Sequence, residues 1–326
     1  MINSPSLLDV EDLKVHFPTR DGATVHAVDG VSFSIDRGVA FGLVGESGSG
    51  KTTTALACVR LVDPTAGQVS LDGEDITHLG GDSLRQMRRK MQIVFQDPYA
   101  SLNPRERVGS IVERPLKLMK MGTARERAAR VAELFEIVGL RPEQQSLFPH
   151  QFSGGQRQRI GIARALATQP DLIVCDEPVS ALDVAIQAQV LNLLARLKAE
   201  FELTYLFISH DLAVVQHICD EIAVMYLGQI VERGSKQEIF RNPLHPYTKA
   251  LISAVPSADS LGKPKGERIM LEGDPPSPIS LPKGCRFASR CPFVTPACEE
   301  EAPALQNISP EHSVACLRVD PVGNFN

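Results

Sequence analysis

Nowhere in its 326 residues does the chain run apolar for the roughly 18 positions that a membrane-spanning helix needs. Work on a membrane would therefore have to pass through a partner. The opening residues Met1 to Ser6 are polar and lack the basic and apolar regions of a secretory leader, so a cytoplasmic location is expected. A basic excess is lacking as well: the formal net charge of −5 disfavours a nucleic acid held by bulk electrostatics. No internal repeat and no heptad pattern is visible, which sets aside solenoids and long coiled coils. What remains, with 43% hydrophobic and 22% charged residues, is an ordinary soluble composition with length for about two domains.

Tight cysteine pairs are also missing, although the chain holds seven cysteines. Cys58, Cys175 and Cys219 sit singly in apolar patterns, as buried free thiols do. Cys285, Cys291, Cys298 and Cys316 crowd the C-terminal end, and in a reducing compartment such clustering points to a metal or cluster site before disulfides. Their spacing, C-x5-C-x6-C-x17-C, lacks the C-x2-C pairs that signal zinc strongly. Looped thiolates beside prolines are compatible with a [4Fe–4S] cluster, while zinc and no metal at all stay open. His312 reads as a solvated loop histidine rather than as a zinc ligand.

Alternating apolar residues at 13–17 and 31–35 predict antiparallel strands, with Asp21-Gly22 as a turn between them. The nearly continuous apolar run 39–44 predicts a strand buried on both faces, feeding a glycine loop and then a helix through Arg60. Segments 93–95, 172–175 and 205–208 predict further buried strands. Leu182, Ile186, Val190, Leu193 and Leu197 follow a helical period and would pack one face on a sheet. Strands with helical crossovers argue an α/β nucleotide-binding core over 1–240, with an antiparallel β subdomain and an inserted helical subdomain at about 97–169. Beyond residue 240, Pro243, Pro246, Pro256, Pro264, Pro275, Pro276, Pro278 and Pro282 exclude long elements. Residues 241–326 are expected to form a separate, loop-rich extension whose small apolar content would benefit from a metal staple.

Gly45-Glu46-Ser47-Gly48-Ser49-Gly50-Lys51-Thr52 fits G-x-x-x-x-G-K-[ST] between a predicted strand and a predicted helix, the context that motif requires. Its backbone N–H groups would cradle phosphates, Lys51 would reach the β- and γ-oxygens, and the Thr52 hydroxyl, with Thr53 beside it, would ligate Mg²⁺. Asp176 and Glu177 end a buried strand, where open α/β sheets bind ligands. Asp176 would hold Mg²⁺ through its water shell, and Glu177 would orient and polarise the water attacking the γ-phosphate. Gln96 and His210 also follow strand ends: Gln96 suits Mg²⁺ or the attacking water, and His210 the γ-phosphate. A second glycine turn spans 152–159 and leads into a helical pattern. Ser153 stands where that helix begins, and Gly154 and Gly155, followed by Gln156, let N–H groups approach an anion. The chain thus carries two anion-binding surfaces far apart in sequence. Arg157 and Arg159 are expected to position the second helix, and residues 85–90 to form a solvated helix face.

In their order and spacing over about residues 8–240, these segments resemble the nucleotide-binding subunit of ATP-binding-cassette (ABC) transporters. Residues 45–52 resemble the family's Walker A, Phe95-Gln96-Asp97 its Q-loop, 153–156 its signature, 172–177 its Walker B, Ser180-Ala181-Leu182-Asp183 its D-loop and His210 its switch histidine. Phe17 matches the aromatic that stacks on adenine. Phe152 replaces the usual leucine and Thr52 the commoner serine, and neither change removes a needed donor or hydroxyl. Residues 94–98, 101–104 and 242–256 are similar to the dipeptide/oligopeptide (peptide/nickel) importer ATPases, above all to the F-type subunits of dipeptide permeases.

The resemblance implies head-to-tail dimers of cassettes, with ATP sandwiched between one Walker A and the partner's signature. Ser153 and Gly155 would then touch a partner's nucleotide, with Gly154, Gln156 and Asp183 in the same contact. It implies ATP and Mg²⁺ as cofactors, and a second ATPase subunit of the paralogous D type, two transmembrane permeases and an extracytoplasmic binding protein as partners. The implied place is peripheral, on the cytoplasmic face of the inner membrane. The implied work is import of di- or oligopeptides, with nickel, glutathione or another small solute as the alternative. ABC ATPases of DNA repair or the ribosome carry long insertions or two cassettes and fit this single compact cassette less well. For the tail, the resemblance implies a [4Fe–4S] cluster on Cys285, Cys291, Cys298 and Cys316, and a redox- or iron-sensing role complements that reading.

Overall fold

Alternation of apolar and polar residues near the start of the chain produces two long strands, β1 (Leu8–Pro18) and β2 (Thr24–Ile35). The turn between them is closed by Thr19 N–H on Ala23 O at 2.8 Å, with Gly22 at φ +84°. The computed structural model describes residues 6–255 and 269–325, so Met1 to Pro5, Pro256 and Pro264 lie outside the described residues. β3 (Ala40–Val44) follows with all five residues buried, as its unbroken apolar run predicts. Next come α1 (Lys51–Cys58), β4 (Ala66–Leu71), β5 (Glu74–Asp75), α2 (Gly81–Lys90) and β6 (Met91–Val94). The helical stretch holds α3 (Val108–Leu118), α4 (Ala124–Ile137) and α5 (Gly154–Leu166), and leads to β7 (Leu172–Asp176), α6 (Val184–Phe201) and β8 (Thr204–Ser209). The remainder is α7 (Leu212–Ile218), β9 (Glu221–Tyr226), β10 (Gln229–Ser235), α8 (Lys236–Arg241), α9 (Pro246–Ser253), α10 (Pro296–Glu300), β11 (Gln306–Ser309) and β12 (His312–Val314).

These elements form two interleaved units. The first takes Ile35–Val39 and Ser70–Phe207 with the residues up to Leu8; the second takes Asp9–Ser34, Ala40–Val69 and Ile208 onward. In the first unit the strands run in the order β8-β7-β6, and β6 and β7 pair in parallel from Met91↔Leu172 to Val94↔Cys175. α3, α4 and α5 pack on one another, and α5 also meets α6 and β6. α4 begins with a capping box in which Thr123 and Glu126 satisfy each other's backbone N–H. α6 buries Val190, Leu193 and Leu197, together with Leu191 and Leu194. Leu182 precedes that helix and Ile186 is half-buried, so the predicted stripe holds from Val190 onward.

In the second unit β3 runs parallel to β9, β9 pairs antiparallel with β10, and β12 then joins β10 with β11 beyond it. The tail therefore extends the sheet, and no division between the units falls near residue 240. Its longest described element is α9 at 8 residues, in keeping with its proline content. The chain has no tryptophan, and three of its other aromatic rings meet in this unit. Tyr226 lies 4.8 Å from Tyr247 and 5.3 Å from Phe287 between ring centroids, and His245 lies 5.5 Å from Phe287.

Two readings need correction on local grounds and one on long-range grounds. α1 stops at Cys58 because Arg60 takes φ +54°, a left-handed conformation no helix continues through. β6 stops at Val94, which leaves Phe95 and Gln96 beyond the strand. His312 is buried rather than solvated, with Nε2 2.7 Å from Glu232 Oε1. Glu232, itself fully buried, also accepts the Leu244 N–H at 2.7 Å and the His245 N–H at 2.9 Å. Three donors make that carboxylate tolerable inside the fold.

Burial lowers the His245 pKa to about 4 from 6.5, and Lys249 adds to the fall while Glu232 opposes it. Nδ1 accepts the Tyr247 N–H at 3.1 Å, which requires that nitrogen to be unprotonated. A folded pKa below the unfolded one gives stability that is intact above pH 6.5 and lost as pH falls toward 4. The loss accrues at about 1.4 kcal/mol per pH unit. Melting temperatures taken between pH 7 and 5 should fall toward acid, and His245→Asn, which keeps an acceptor for Tyr247, should flatten that slope. An unchanged slope would acquit His245.

Candidate active site

Residues 45–50 carry the chain from β3 into α1, and the crowding there admits only glycine at two places. Gly45 has φ +154°, and a Cβ on it would lie 2.2 Å from Met225 O; Gly50 has φ +103°, and its Cβ would lie 2.3 Å from Ala27 O. Lys51 opens α1 and is 5% exposed. Its ammonium donates to Gly45 O and Glu46 O at 2.8 Å each and to Ser49 Oγ at 3.3 Å. The charge is thereby held at the loop, beside the first-turn N–H groups of α1, with Thr52 and Thr53 next in that turn. Phe17, near the end of β1, is 41% exposed and presents an aromatic surface. His210 follows β8 and is exposed, and Asp211 after it caps α7 through the Ala213 N–H at 2.8 Å.

These groups belong to the second unit; Gln96, Ser153, Gly154, Gly155, Gln156, Asp176, Glu177 and Asp183 belong to the first. There Asp176 closes β7 and is 5% exposed. Glu177 takes φ +44°, a costly conformation for a side chain of this kind and one typical of functional turns. Gln96 donates from Nε2 to Glu177 Oε2 at 2.9 Å, across 81 positions of sequence. One carboxylate oxygen is thus fixed by an amide, an arrangement that orients a general base.

The second glycine turn is built as a helix start. Ser153 caps α5 by accepting the Gln156 N–H at 3.3 Å, and Gln156 Oε1 accepts the Ser153 N–H at 3.0 Å. A Cβ on Gly155 would lie 2.4 Å from Ile186 Cγ2, and one on Gly154 would lie 3.3 Å from Leu182 Cδ2. The turn is therefore seated against the segment that contains Asp183, whose exposed side chain makes no capping bond of its own. Arg157 and Arg159 anchor the helix as expected: Arg157 Nε donates to Pro149 O at 2.6 Å, and Arg159 donates to Val138 O at 2.7 Å. The guanidinium of Arg157 also lies 3.7 Å from the centre of the Tyr99 ring. Residues 85–90 are largely exposed, with Met87 the buried exception.

All four C-terminal cysteines lie in the second unit and within each other's electrostatic reach. Burial pushes the Cys285 thiol up to about 11, and it raises Cys291 and Cys316 as well. Backbone N–H groups of Phe287, Phe293 and Arg318 oppose this by donating to the sulfurs of Cys285, Cys291 and Cys316. Among the described residues no three of these sulfurs lie within 4.8 Å of one another. A single tetrahedral zinc with Zn–S of about 2.3 Å needs them about 3.8 Å apart, so the set as folded is too open for one zinc ion.

Sequence reasoning missed a group of tail contacts to the phosphate loop. Arg290, with its side chain 7% exposed, pairs with Glu46 through two bonds of 2.7 and 3.1 Å, across 244 positions. The Tyr247 hydroxyl accepts the Glu46 N–H at 2.8 Å. Arg286 pairs with Asp29 and donates to Leu227 O at 2.6 Å, while Asp29 Oδ1 lies 3.1 Å from His16 Nε2. No periodicity or motif marks such long-range pairs.

The packing of the second glycine turn is directly testable. Gly155→Ala should drive its methyl group into Ile186 and cost about 1–3 kcal/mol, read as a lowered melting temperature. Adding Ile186→Ala should recover part of that loss. A Gly155→Ala protein that melts like the parent would show the contact to be slack.

Comparison with known proteins places these features in a family. A model described as ABC transporter matches residues 28–180, and one described as oligopeptide/dipeptide transporter, C-terminal region, matches 231–298. The oligopeptide transport ATP-binding protein AppF of Bacillus subtilis is 52% identical over 321 residues, spanning 96% of this chain and 98% of that protein. The oligopeptide transport ATP-binding protein OppF of Salmonella typhimurium is 49% identical over 325 residues, 97% of each. Among solved structures, the dimeric post-hydrolysis state of the ATP-binding cassette MJ0796 bound to ADP and Pi matches with a TM-score of 0.64 at 30% identity. That match covers 70% of this chain and 98% of that one.

Proposed function

The chain belongs to the ABC transporter ATP-binding subunits of the oligopeptide/dipeptide group, and on that premise we propose that it hydrolyses ATP to power peptide import. It works as one of two cassettes set head to tail. The observation that carries this reading is the Gln96–Glu177 hydrogen bond, which fixes a carboxylate just beyond the end of a buried strand and next to Asp176. In that position Glu177 accepts a proton from water as it attacks the γ-phosphate, and Gln96 holds the carboxylate in register. Lys51 and the loop's N–H groups, apart from that of Glu46, which the Tyr247 hydroxyl takes, hold the β- and γ-phosphates, His210 donates to the γ-phosphate, and Phe17 stacks on adenine.

Thr52 offers a hydroxyl, Asp176 a carboxylate and Gln96 an amide oxygen, each a hard oxygen donor of the kind that Mg²⁺ prefers. Bound there, Mg²⁺ would neutralise charge on the phosphate oxygens. Ser153 with Gly154, Gly155, Gln156 and Asp183 presents a capped helix start to the nucleotide of the partner cassette. Residues 1–240 serve as the cassette, with its helical subdomain at about 97–169, and 241–326 as the extension; the two family matches support that division of labour.

The partners that fit are a second ATPase subunit of the paralogous D type, two permeases and an extracytoplasmic binding protein. No helix among the described residues is long and apolar enough to cross a membrane, so attachment to the cytoplasmic face of the inner membrane runs through the permeases. Cys285, Cys291, Cys298 and Cys316 are the residues that would hold a [4Fe–4S] cluster. In such a cluster each thiolate would bind its own iron, a set that the open spacing suits, and the N–H donors to three sulfurs are of the kind that tune such clusters.

Replacing Glu177 by Gln should reduce steady-state hydrolysis by at least about a hundredfold and accumulate an ATP-bound dimer on size-exclusion chromatography. Hydrolysis at the parent rate would remove Glu177 from the role of base. For the cysteines, anaerobic purification should yield brown protein with iron and acid-labile sulfide. Colourless protein that carries zinc instead would end the cluster reading.

A further inference from the structure

Glu46 is the second residue of the phosphate loop, and each of its polar groups is held. Its carbonyl takes the Lys51 ammonium at 2.8 Å, its N–H donates to the Tyr247 hydroxyl at 2.8 Å, and its carboxylate takes both arms of Arg290. Only the first of these holds comes from the loop's own neighbourhood. Tyr247, fully buried, and Arg290, nearly so, arrive from two different segments of the C-terminal extension. A parallel hold reaches Ser49. Its carbonyl accepts the Gly228 N–H at 2.9 Å from the turn between β9 and β10, and Arg286 grips that same turn at Leu227 O.

We propose that the C-terminal extension is a working part of the nucleotide site, with Arg290 as the positioning residue that clamps the phosphate loop through Glu46. A phosphate loop binds through backbone N–H groups, so its affinity depends on how much order it must acquire when the ligand arrives. A paired, bidentate guanidinium on one side and a buried hydroxyl on the other remove that freedom in advance. Glu46 is 32% exposed, so its carboxylate can hydrate when Arg290 is absent, and the loss should fall on binding before it falls on folding. The clamp also has an address. Arg290 immediately precedes Cys291 and Arg286 immediately follows Cys285, so the placement of both guanidiniums depends on what holds the cysteine loop. On the cluster reading proposed above, loss of iron loosens the clamp and weakens nucleotide binding.

The test uses the full chain and ADP with Mg²⁺, which occupies the phosphate loop without turnover, measured by titration calorimetry. Arg290→Ala should weaken ADP binding about five- to tenfold, and Arg290→Lys, which keeps the charge without the fork, should fall between. Glu46→Gln should cost a similar factor, and the double variant no more than either single change. In ATPase assays the KM of Arg290→Ala should rise while kcat moves less. Parent-like ADP binding by Arg290→Ala overturns the proposal, as do losses that simply add in the double variant. For the link to the cysteines, iron-free parent protein should bind ADP more weakly than iron-loaded protein, and Arg290→Ala should show no such difference. Equal binding by both parent preparations overturns the link, while the Arg290–Glu46 cycle judges the clamp whether or not a cluster forms.

Discussion

The phosphate loop passes so close to neighbouring backbone that no side chain fits at Gly45 or Gly50, and the second unit is arranged around that crowding. Met225 O at the end of β9 and Ala27 O in β2 occupy the space a Cβ would take. Both strands must therefore be in place for the loop to have its shape, and the loop in turn must be glycine where they approach. The Gly228 N–H on Ser49 O, the Lys51 ammonium on Gly45 and Glu46, and the Arg290 pair all tighten the same turn. An anion site made of backbone needs such rigidity, because N–H groups cannot be aimed by rotamers as side chains can.

The first unit solves a different problem. Its candidate groups are side chains at the end of β7 and a helix start. Glu177 is held in a left-handed conformation, and Gln96, from the far side of the helical insertion in sequence, fixes its carboxylate. α5 presents its capped N-terminus beside the D-loop segment because Gly154 and Gly155 let Leu182 and Ile186 come close. The glycines of the second turn therefore serve packing as much as anion approach. From the sequence only the latter role is visible.

What short-range pattern controls was legible. The buried runs of β3, β7 and β8, the stripe of α6 from Val190 onward, the capped start of α5 and the phosphate loop all follow from spacing within a few residues. Catalytic candidates were legible for the same reason, since each stands at the end of a readable strand or helix. What depends on a distant partner was not. His312 looked like a loop histidine because its reason for burial, Glu232, lies 80 positions away. The Arg290–Glu46 pair joins the tail to the loop with nothing local to announce it. The end of α1 failed for another cause: the left-handed turn at Arg60 is set by a single dihedral that residue type does not reveal.

Glu232 has a consequence for where this chain can be cut. It sits in β10, yet the donors that make its burial tolerable come from Leu244, His245 and His312, all downstream of the cassette proper. A protein trimmed just after α8 would retain the carboxylate and lose every one of those partners. It would also uncover the side of β10 that β12 now covers, leaving a bare strand edge open to other chains. The extension is thus the cassette's own edge guard, and a minimal ATPase excised from this sequence would tend to precipitate before it could be assayed.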